Sequence, residues 1–333
     1  MEKYGIDVAV LLIFFNRPET FRKVFEQVKI ARPSKLFLYQ DGARNEEEAQ
    51  RVAKCREIAE NIDWECEVYT KYQTENFGCD PSEYIAQKWA FSIVDKCIVL
   101  EDDDVPSQSF FPFCKDLLDR YENDERINMI CGMNNLGVYN NVDTDYFFSY
   151  TGSIWGWASW RRVVDKWTDT YPMLNEPEML RKFKEANCQK HLINKYIEVA
   201  QQHYKSGRAH YESILSYCMF TQNTINIVPK CNMISNIGNN PEGGTHSSTD
   251  EKIIPKGIRN VLSMKPYEIE FPLKHPDYVM EDVEFKKQLF RVMGWGHPFV
   301  NFYRRIERIC LLIRYGKKDI IFNKIKRIFK KKK

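Results

Sequence analysis

Four consecutive acidic residues, Glu101, Asp102, Asp103 and Asp104, stand immediately after a short apolar run at 97–100. Carboxylates crowded in this way repel one another, and a cation between them relieves the repulsion. Hard oxygen ligands of this kind suit Mg2+ or Mn2+, ions that also neutralise a departing diphosphate. A solvated acidic turn is the other reading of the same four residues. The apolar run before them, and Pro106 with Phe110 and Phe111 after them, favour a site at the end of a buried strand. Two more polar residues hold equivalent places: Arg17 follows the run 8–15, and Asp41 follows the run 35–39. Taken singly, Arg17 reads equally as a surface arginine at a helix start, and Asp41 as part of a common Asp-Gly turn.

These residues act together only if the elements between them bring them together. Residues 8–15, 35–39, 66–70 and 97–100 read as strands, and 18–30, 46–62 and 81–94 as helices, the first opening on Pro18. This alternation predicts an α/β fold with a mostly parallel sheet flanked by helices. Ligands of such sheets bind outside the carboxyl ends of the strands. Arg17, Asp41 and the acidic run are therefore expected to converge on one edge. In the second half, 145–150 and 225–229 read as strands, and 158–167, 176–206 and 210–220 as helices. A Gly/Asn/Ser-rich loop at 236–250 is long enough for a mobile lid, and basic helices are expected from about 299. No break in composition marks two independent domains.

The 333 residues are 43% hydrophobic and 29% charged, which excludes disordered and fibrous classes. The net charge of +3 hides a basic end, residues 317–333, closing on four lysines. Charge gathered in a tail rather than over a face speaks against a nucleic-acid binder. Ile320, Ile321, Ile325, Ile328 and Phe329 fall near one helical face of that tail, ringed by lysines. The pattern suits a helix lying on an anionic membrane surface, and also a solvated basic terminus. Ten cysteines occur singly without a CxxC pair, so neither a zinc knuckle nor a disulfide framework is expected. The apolar run at 8–15 is too short for a membrane span or a full signal peptide. A cytoplasmic enzyme, peripheral on the inner face of the membrane if the tail binds lipid, is the expectation.

The stretch 98–111, Ile-Val-Leu-Glu-Asp-Asp-Asp-Val-Pro-Ser-Gln-Ser-Phe-Phe, resembles the metal-site segment of GT-A-fold glycosyltransferases. It looks most like the group containing N-acetylglucosaminyltransferase I and a set of bacterial sugar transferases. The resemblance extends to Phe15-Asn16-Arg17-Pro18, Gln40-Asp41-Gly42, Asn76-Phe77-Gly78, the segment 155–161, and the segments around Ile227, Asn236 and His246, covering about 5–250. It implies a Rossmann-like GT-A domain over 1–250, with a nucleotide-binding half at 1–130 and an acceptor half at 131–250. Residues 251–333 would form a C-terminal extension carrying the basic tail.

The resemblance also implies roles. Arg17 pairs with phosphate oxygens of a nucleotide-sugar donor, a UDP-sugar by preference, and Asp41 accepts from the base. Glu101 and Asp102 reach ribose or sugar hydroxyls, and the last of the acidic triplet binds Mn2+ or Mg2+. Because Asp104 is an extra carboxylate, Asp103 and Asp104 are both claimants for the ion. Trp155, Gly156 and Trp157 lie beside the donor sugar, and His246 near the metal and diphosphate. An inverting transfer needs a carboxylate base for the acceptor hydroxyl. Glu212 stands where relatives carry an aspartate, with Asp165 and Asp169 in reserve. The acceptor would be a glycan or lipid-linked glycan, in surface glycan or polysaccharide biosynthesis, and the transferred unit a hexose or N-acetylhexosamine. Two alternatives are kept: nucleotidyl transfer, which usually wants a Gly-rich loop that 14–18 does not offer, and sugar or nucleotide binding without catalysis.

Overall fold

The apolar runs and amphipathic segments fold as one alternating series in the computed structural model, which describes residues 3–186, 190–238, 251–262, 264–317 and 320. The first half runs β1 (Ile6–Phe14), α1 (Pro18–Ala31), β2 (Pro33–Gln40), α2 (Glu46–Ala59), β3 (Glu67–Tyr72), α3 (Cys79–Ile93) and β4 (Lys96–Glu101). After it come β5 (Asp104–Pro106), α4 (Phe110–Arg120), β6 (Ile127–Cys131), β7 (Tyr146–Ser149), β8 (Trp157–Trp160) and the single turn α5 (Arg161–Val164). Then follow α6 (Pro177–Ala186), α7 (Lys190–Ser206), α8 (Tyr211–Gln222), β9 (Ile225–Pro229), β10 (Ile234–Asn236), α9 (Lys256–Leu262), α10 (Val283–Met293) and α11 (Pro298–Arg314).

Local chemistry accounts for the helices of the first half. α1 has Pro18 at its first turn and buries Phe21, Val24, Phe25 and Val28, one face at the 3–4 spacing of a helix. α2 is capped by the Asn45 side chain, which accepts from the Glu48 amide at 2.9 Å. Eight strands form one sheet in the order β3-β2-β1-β4-β8-β6-β9-β7. β1 lies inside it, parallel to both β2 and β4. Alternate β1 residues therefore enter opposite cores, Val8, Val10, Leu12 and Phe14 on one face and Ala9, Leu11 and Ile13 on the other. This double burial explains why the strand reads as continuous apolar sequence. The sheet is parallel at four of its seven joints and antiparallel where β8 meets β4 and β6 and where β7 meets β9.

The expected helix over 158–167 is a correction. Residues 157–160 form β8, wedged antiparallel between β4 and β6, and only Arg161–Val164 turn helically. Tertiary pairing with two strands outweighs the helical spacing of Trp157 and Trp160. Of the long helix expected over 176–206, α6 and α7 cover the described residues 177–186 and 190–206, and 187–189 lie outside the described residues.

The segment after 250 shares the main core. Val261 and Leu273 join one hydrophobic cluster and Phe285 and Leu289 the other. Asp282 caps α10 by accepting from the Phe285 amide at 2.8 Å and also accepts from the Tyr139 hydroxyl at 2.9 Å. Among the described residues, no helix is long and apolar enough to cross a membrane. Most of the tail and the expected lid beyond 238 lie outside the described residues.

Candidate active site

The parallel register sets the site. Phe14 pairs with Gln40 and Ile13 with Glu101, so β1, β2 and β4 stop nearly level and release Phe15, Asp41 and Asp102 at one edge. Asp102 pairs with Arg17 and also accepts from the Phe15 amide at 3.3 Å. Arg17 reaches Asp103 at 2.8 Å with its other terminal nitrogen. Burial works against the Arg17 charge, but Asp102 and Asp103 outweigh it and hold the guanidinium above its ordinary pKa.

A two-stranded ribbon fixes the end of the acidic run. β5 pairs antiparallel with β10, placing Asn236 opposite Asp104. The Asn236 amide donates at 3.0 Å to both Asp103 and Asp104. The second oxygen of Asp104 accepts from the Gly156 amide at 2.9 Å, and the residue has 0% exposure. Gly156 has φ +60°, and a Cβ there would collide with Ile234. At Gly238 a Cβ would run into the Asp103 carboxylate, so the backbone closes directly over that group.

Asp41 is held differently. Its carboxylate accepts from the amides of Gly42 at 3.0 Å, Phe77 at 2.9 Å and Gly78 at 3.0 Å, and from the Asn76 side chain at 2.9 Å. Four donors engage the group, which ties the loop after β3 to the loop after β2. Phe15, Arg17, Asp41, Asn76, Glu83 and Glu101 are among the walls of a cleft of about 150 Å³. Sites for whole small-molecule ligands start near ~300 Å³, so this cleft is smaller than a site for a whole ligand. A wider cavity of about 480 Å³ lies by Gly5 and Lys115. It sits at the amino end of β1, away from the end where ligands of open α/β sheets bind.

Glu83, on α3, is a member of the site that sequence reasoning missed. It is buried at the cleft and accepts from the Cys79 thiol at 3.1 Å. A carboxylate sharing a helix face with Ala86, Ala90 and Phe91 was the available signal. Burial pushes Glu83 well above the usual carboxylate range, and the charges of Glu212, Asp80 and Asp103 add to the rise. Glu101 and Asp104 are raised well above it too, by burial first and by neighbouring carboxylates next. Asp103 is raised by burial, against the pull of Arg17.

A buried acid with a raised pKa binds more protons folded than unfolded. Its protonated form adds stability at low pH, and that contribution is lost as pH rises through the folded value. Glu83→Gln, which keeps the shape and removes the charge, is therefore expected to raise Tm by a few degrees at about pH 8 in metal-free buffer. At about pH 4, where the wild-type group is already protonated, the two proteins should melt together. Equal melting at both pH values would contradict a raised pKa for Glu83.

α8 brings a second set of groups to the same place. The Tyr211 hydroxyl donates to Glu101 at 3.2 Å. Glu212, the next residue, is exposed and lines a recess of about 200 Å³ with Tyr196, His203, Ser213, Ser216 and Trp295. The first turn of α8 thus faces the carboxylate cluster with one side chain and the recess with the next. Behind it, His203 stacks on His210 at 3.8 Å, and His210 contacts Asp80 at 3.3 Å. Asp165 and Asp169, the reserve bases, are exposed and line neither the cleft nor the recess.

The Trp segment divides. Trp155 is half-buried against the core. Trp157, expected beside a sugar, has 1% exposure and packs between Phe91 and Trp167, with ring centroids at 6.4 Å and 6.1 Å. Its indole offers no open face to a ligand, because β8 is an inner strand of the sheet. His246 lies outside the described residues.

Among the described residues, no three His, Cys, Asp or Glu side chains form a ready-made metal cage. Mg2+ and Mn2+ usually bind through one or two carboxylates and complete their shells with phosphates and water. The fit therefore turns on charge and access. Five carboxylates, Glu83, Glu101, Asp102, Asp103 and Asp104, gather at this edge, and Arg17 pairs with two of them. The surplus of negative charge and the all-oxygen donor set suit a divalent cation. Both Asp104 oxygens are engaged within the fold at 0% exposure; Asp103 accepts from Asn236 with one oxygen and pairs with Arg17 through the other, and it keeps 7% exposure.

No protein-family model matches the chain, and no curated protein does. Solved structures it resembles include the apo form of the glycosyltransferase GlyE from Streptococcus pneumoniae TIGR4, at 12% identity over 65% of this chain, with a TM-score of 0.27. The chain spans only 44% of that protein. Mouse xyloside xylosyltransferase 1 matches at 13% identity over 66% of this chain and 81% of its own, TM-score 0.32. An active-site mutant of LgtC matches at 9% identity over 71% and 90%, TM-score 0.32.

Proposed function

We propose that the chain is a metal-dependent glycosyltransferase of GT-A type that moves a sugar from a nucleotide-diphosphate sugar to a hydroxyl acceptor. The observation that carries this reading is the surplus of buried carboxylates around Arg17 at the sheet edge, with an exposed carboxylate, Glu212, beside it. Asp103 is the ligand we assign to Mn2+ or Mg2+, with Asp104 and Asn236 bracing it from behind and His246 a further candidate. When bound, the ion supplies positive charge to the leaving diphosphate. Arg17 adds a fixed guanidinium for phosphate oxygens. Glu101 and Asp102 offer acceptors for ribose or sugar hydroxyls, and Asp41 holds the loop that walls the base end of the cleft.

The acceptor enters the recess beside Glu212, where Tyr196 and Trp295 provide apolar faces and Ser213 and Ser216 provide hydroxyls. Glu212 takes the proton as the acceptor oxygen bonds to the anomeric carbon. The bond from that carbon to the diphosphate oxygen breaks on the opposite face, so the configuration inverts. The finer reading is a UDP-sugar donor, a hexose or N-acetylhexosamine as the unit moved, and a surface glycan or lipid-linked glycan as acceptor. Incubating the protein with Mn2+ and a panel of nucleotide sugars should release nucleoside diphosphate from one of them. Pyrophosphate formed from a sugar phosphate and a nucleoside triphosphate would instead indicate nucleotidyl transfer. Binding without turnover would indicate a non-catalytic protein.

A further inference from the structure

α11 carries its amphipathicity the wrong way round for a helix on a globular surface. Phe299, Phe302, Tyr303, Ile306, Ile309 and Ile313 recur at three- and four-residue spacing and form one outward stripe. All six are exposed, Phe299 at 86% and Phe302 at 64%. The opposite side holds the helix to the protein largely through polar groups. Asn301 donates to the Gly294 carbonyl at 2.7 Å, Arg304 donates to the Val292 carbonyl, and Glu307 accepts from the Lys256 amide at 3.1 Å. Leu312 is the buried apolar residue of α11. Ordinary surface helices turn the apolar side inward, so this stripe is built to be covered from outside.

The charge around the stripe says by what. At 100° per residue, Arg305 and Arg314 border it on its two sides. Glu307 is the one acid of α11, and its carboxylate is engaged by Lys256. The sequence that follows adds Lys324, Lys326, Arg327 and Lys330 to Lys333. An apolar stripe rimmed by arginines complements an interface with apolar chains below and anionic headgroups above. We infer that α11 is a docking surface for an anionic lipid bilayer, lying in the plane of the interface with the stripe submerged.

The full chain should sediment with vesicles made of equal parts phosphatidylcholine and phosphatidylglycerol, less so as salt is raised, and weakly with phosphatidylcholine alone. Phe302→Asp combined with Ile306→Asp should cut that binding by about tenfold or more. Both positions are exposed, and circular dichroism would check that the fold is kept. Arg305→Gln combined with Arg314→Gln should reduce binding to the anionic vesicles and leave the weak binding to phosphatidylcholine in place. Wild-type protein that stays in the supernatant, or an aspartate variant that binds like wild type, would overturn the inference. So would a wild-type dimer that becomes monomeric in the aspartate variant without any vesicle binding, since a second copy of the chain would then cover the stripe.

Discussion

Asp103→Ala is expected to abolish metal-dependent donor binding and to lower turnover by about 10³-fold, the scale of several kcal/mol of lost charge stabilisation. Asp103 combines three features on which this rests. It keeps 7% exposure where Asp104 has none, it pairs with Arg17 at 2.8 Å, and its position is fixed by Asn236 and by the backbone at Gly238. Asp104 has given both oxygens to the fold, and Asp102 is tied to Arg17 and the Phe15 amide. Removing Asp103 also leaves Arg17 with one partner and reduces the negative charge of the cluster. Titration calorimetry of a nucleotide sugar in the presence of Mn2+ measures the first effect, and unchanged affinity would remove Asp103 from the metal site.

Glu212→Gln should behave differently, keeping donor binding and losing roughly 10²- to 10⁴-fold in turnover, the usual range for a missing general base. The reason is position. Tyr211 and Glu212 are neighbours in the first turn of α8, yet Tyr211 donates to Glu101 while Glu212 lines the recess. Substituting Glu212 therefore alters the acceptor side and leaves Arg17 and Asp103 in place. Because Gln keeps the size and most of the hydrogen bonding, the loss should fall on kcat. Full activity in this variant would exclude Glu212 as the base.

The elements nearest the cleft were the most legible in the sequence. β1, β2 and β4 are short apolar runs buried on both faces, and Arg17, Asp41 and Asp102 follow within three residues of their ends. Their boundaries move by only a residue or two between expectation and structure. β8 was hidden because its strand character comes from β4 and β6, which are distant in sequence, while the spacing of Trp157 and Trp160 looks helical. β6 was hidden by Asn128, which interrupts the apolar run and donates to the Asn226 side chain at 3.0 Å inside the core. The role of Trp157 followed the same error, since a residue on an inner strand packs the core.

Within the site, residues that end strands were visible, whereas Glu83, which arrives from a helix, was not. Glu83 comes from α3, and nothing near it in sequence announces that its helix face meets the acidic run. The complete burial of Asp104 depends on Asn236 and Gly156, each brought in by a contact that local sequence does not encode.

The central claim is that the carboxylates beyond β4 hold a divalent cation together with a nucleotide's diphosphate. Counting bound Mn2+ by electron paramagnetic resonance tests it without any knowledge of the donor sugar or acceptor. The account predicts one tightly held ion per folded chain once a nucleoside diphosphate is added. Folded protein that leaves all the Mn2+ free in the presence of every common nucleoside diphosphate would contradict it.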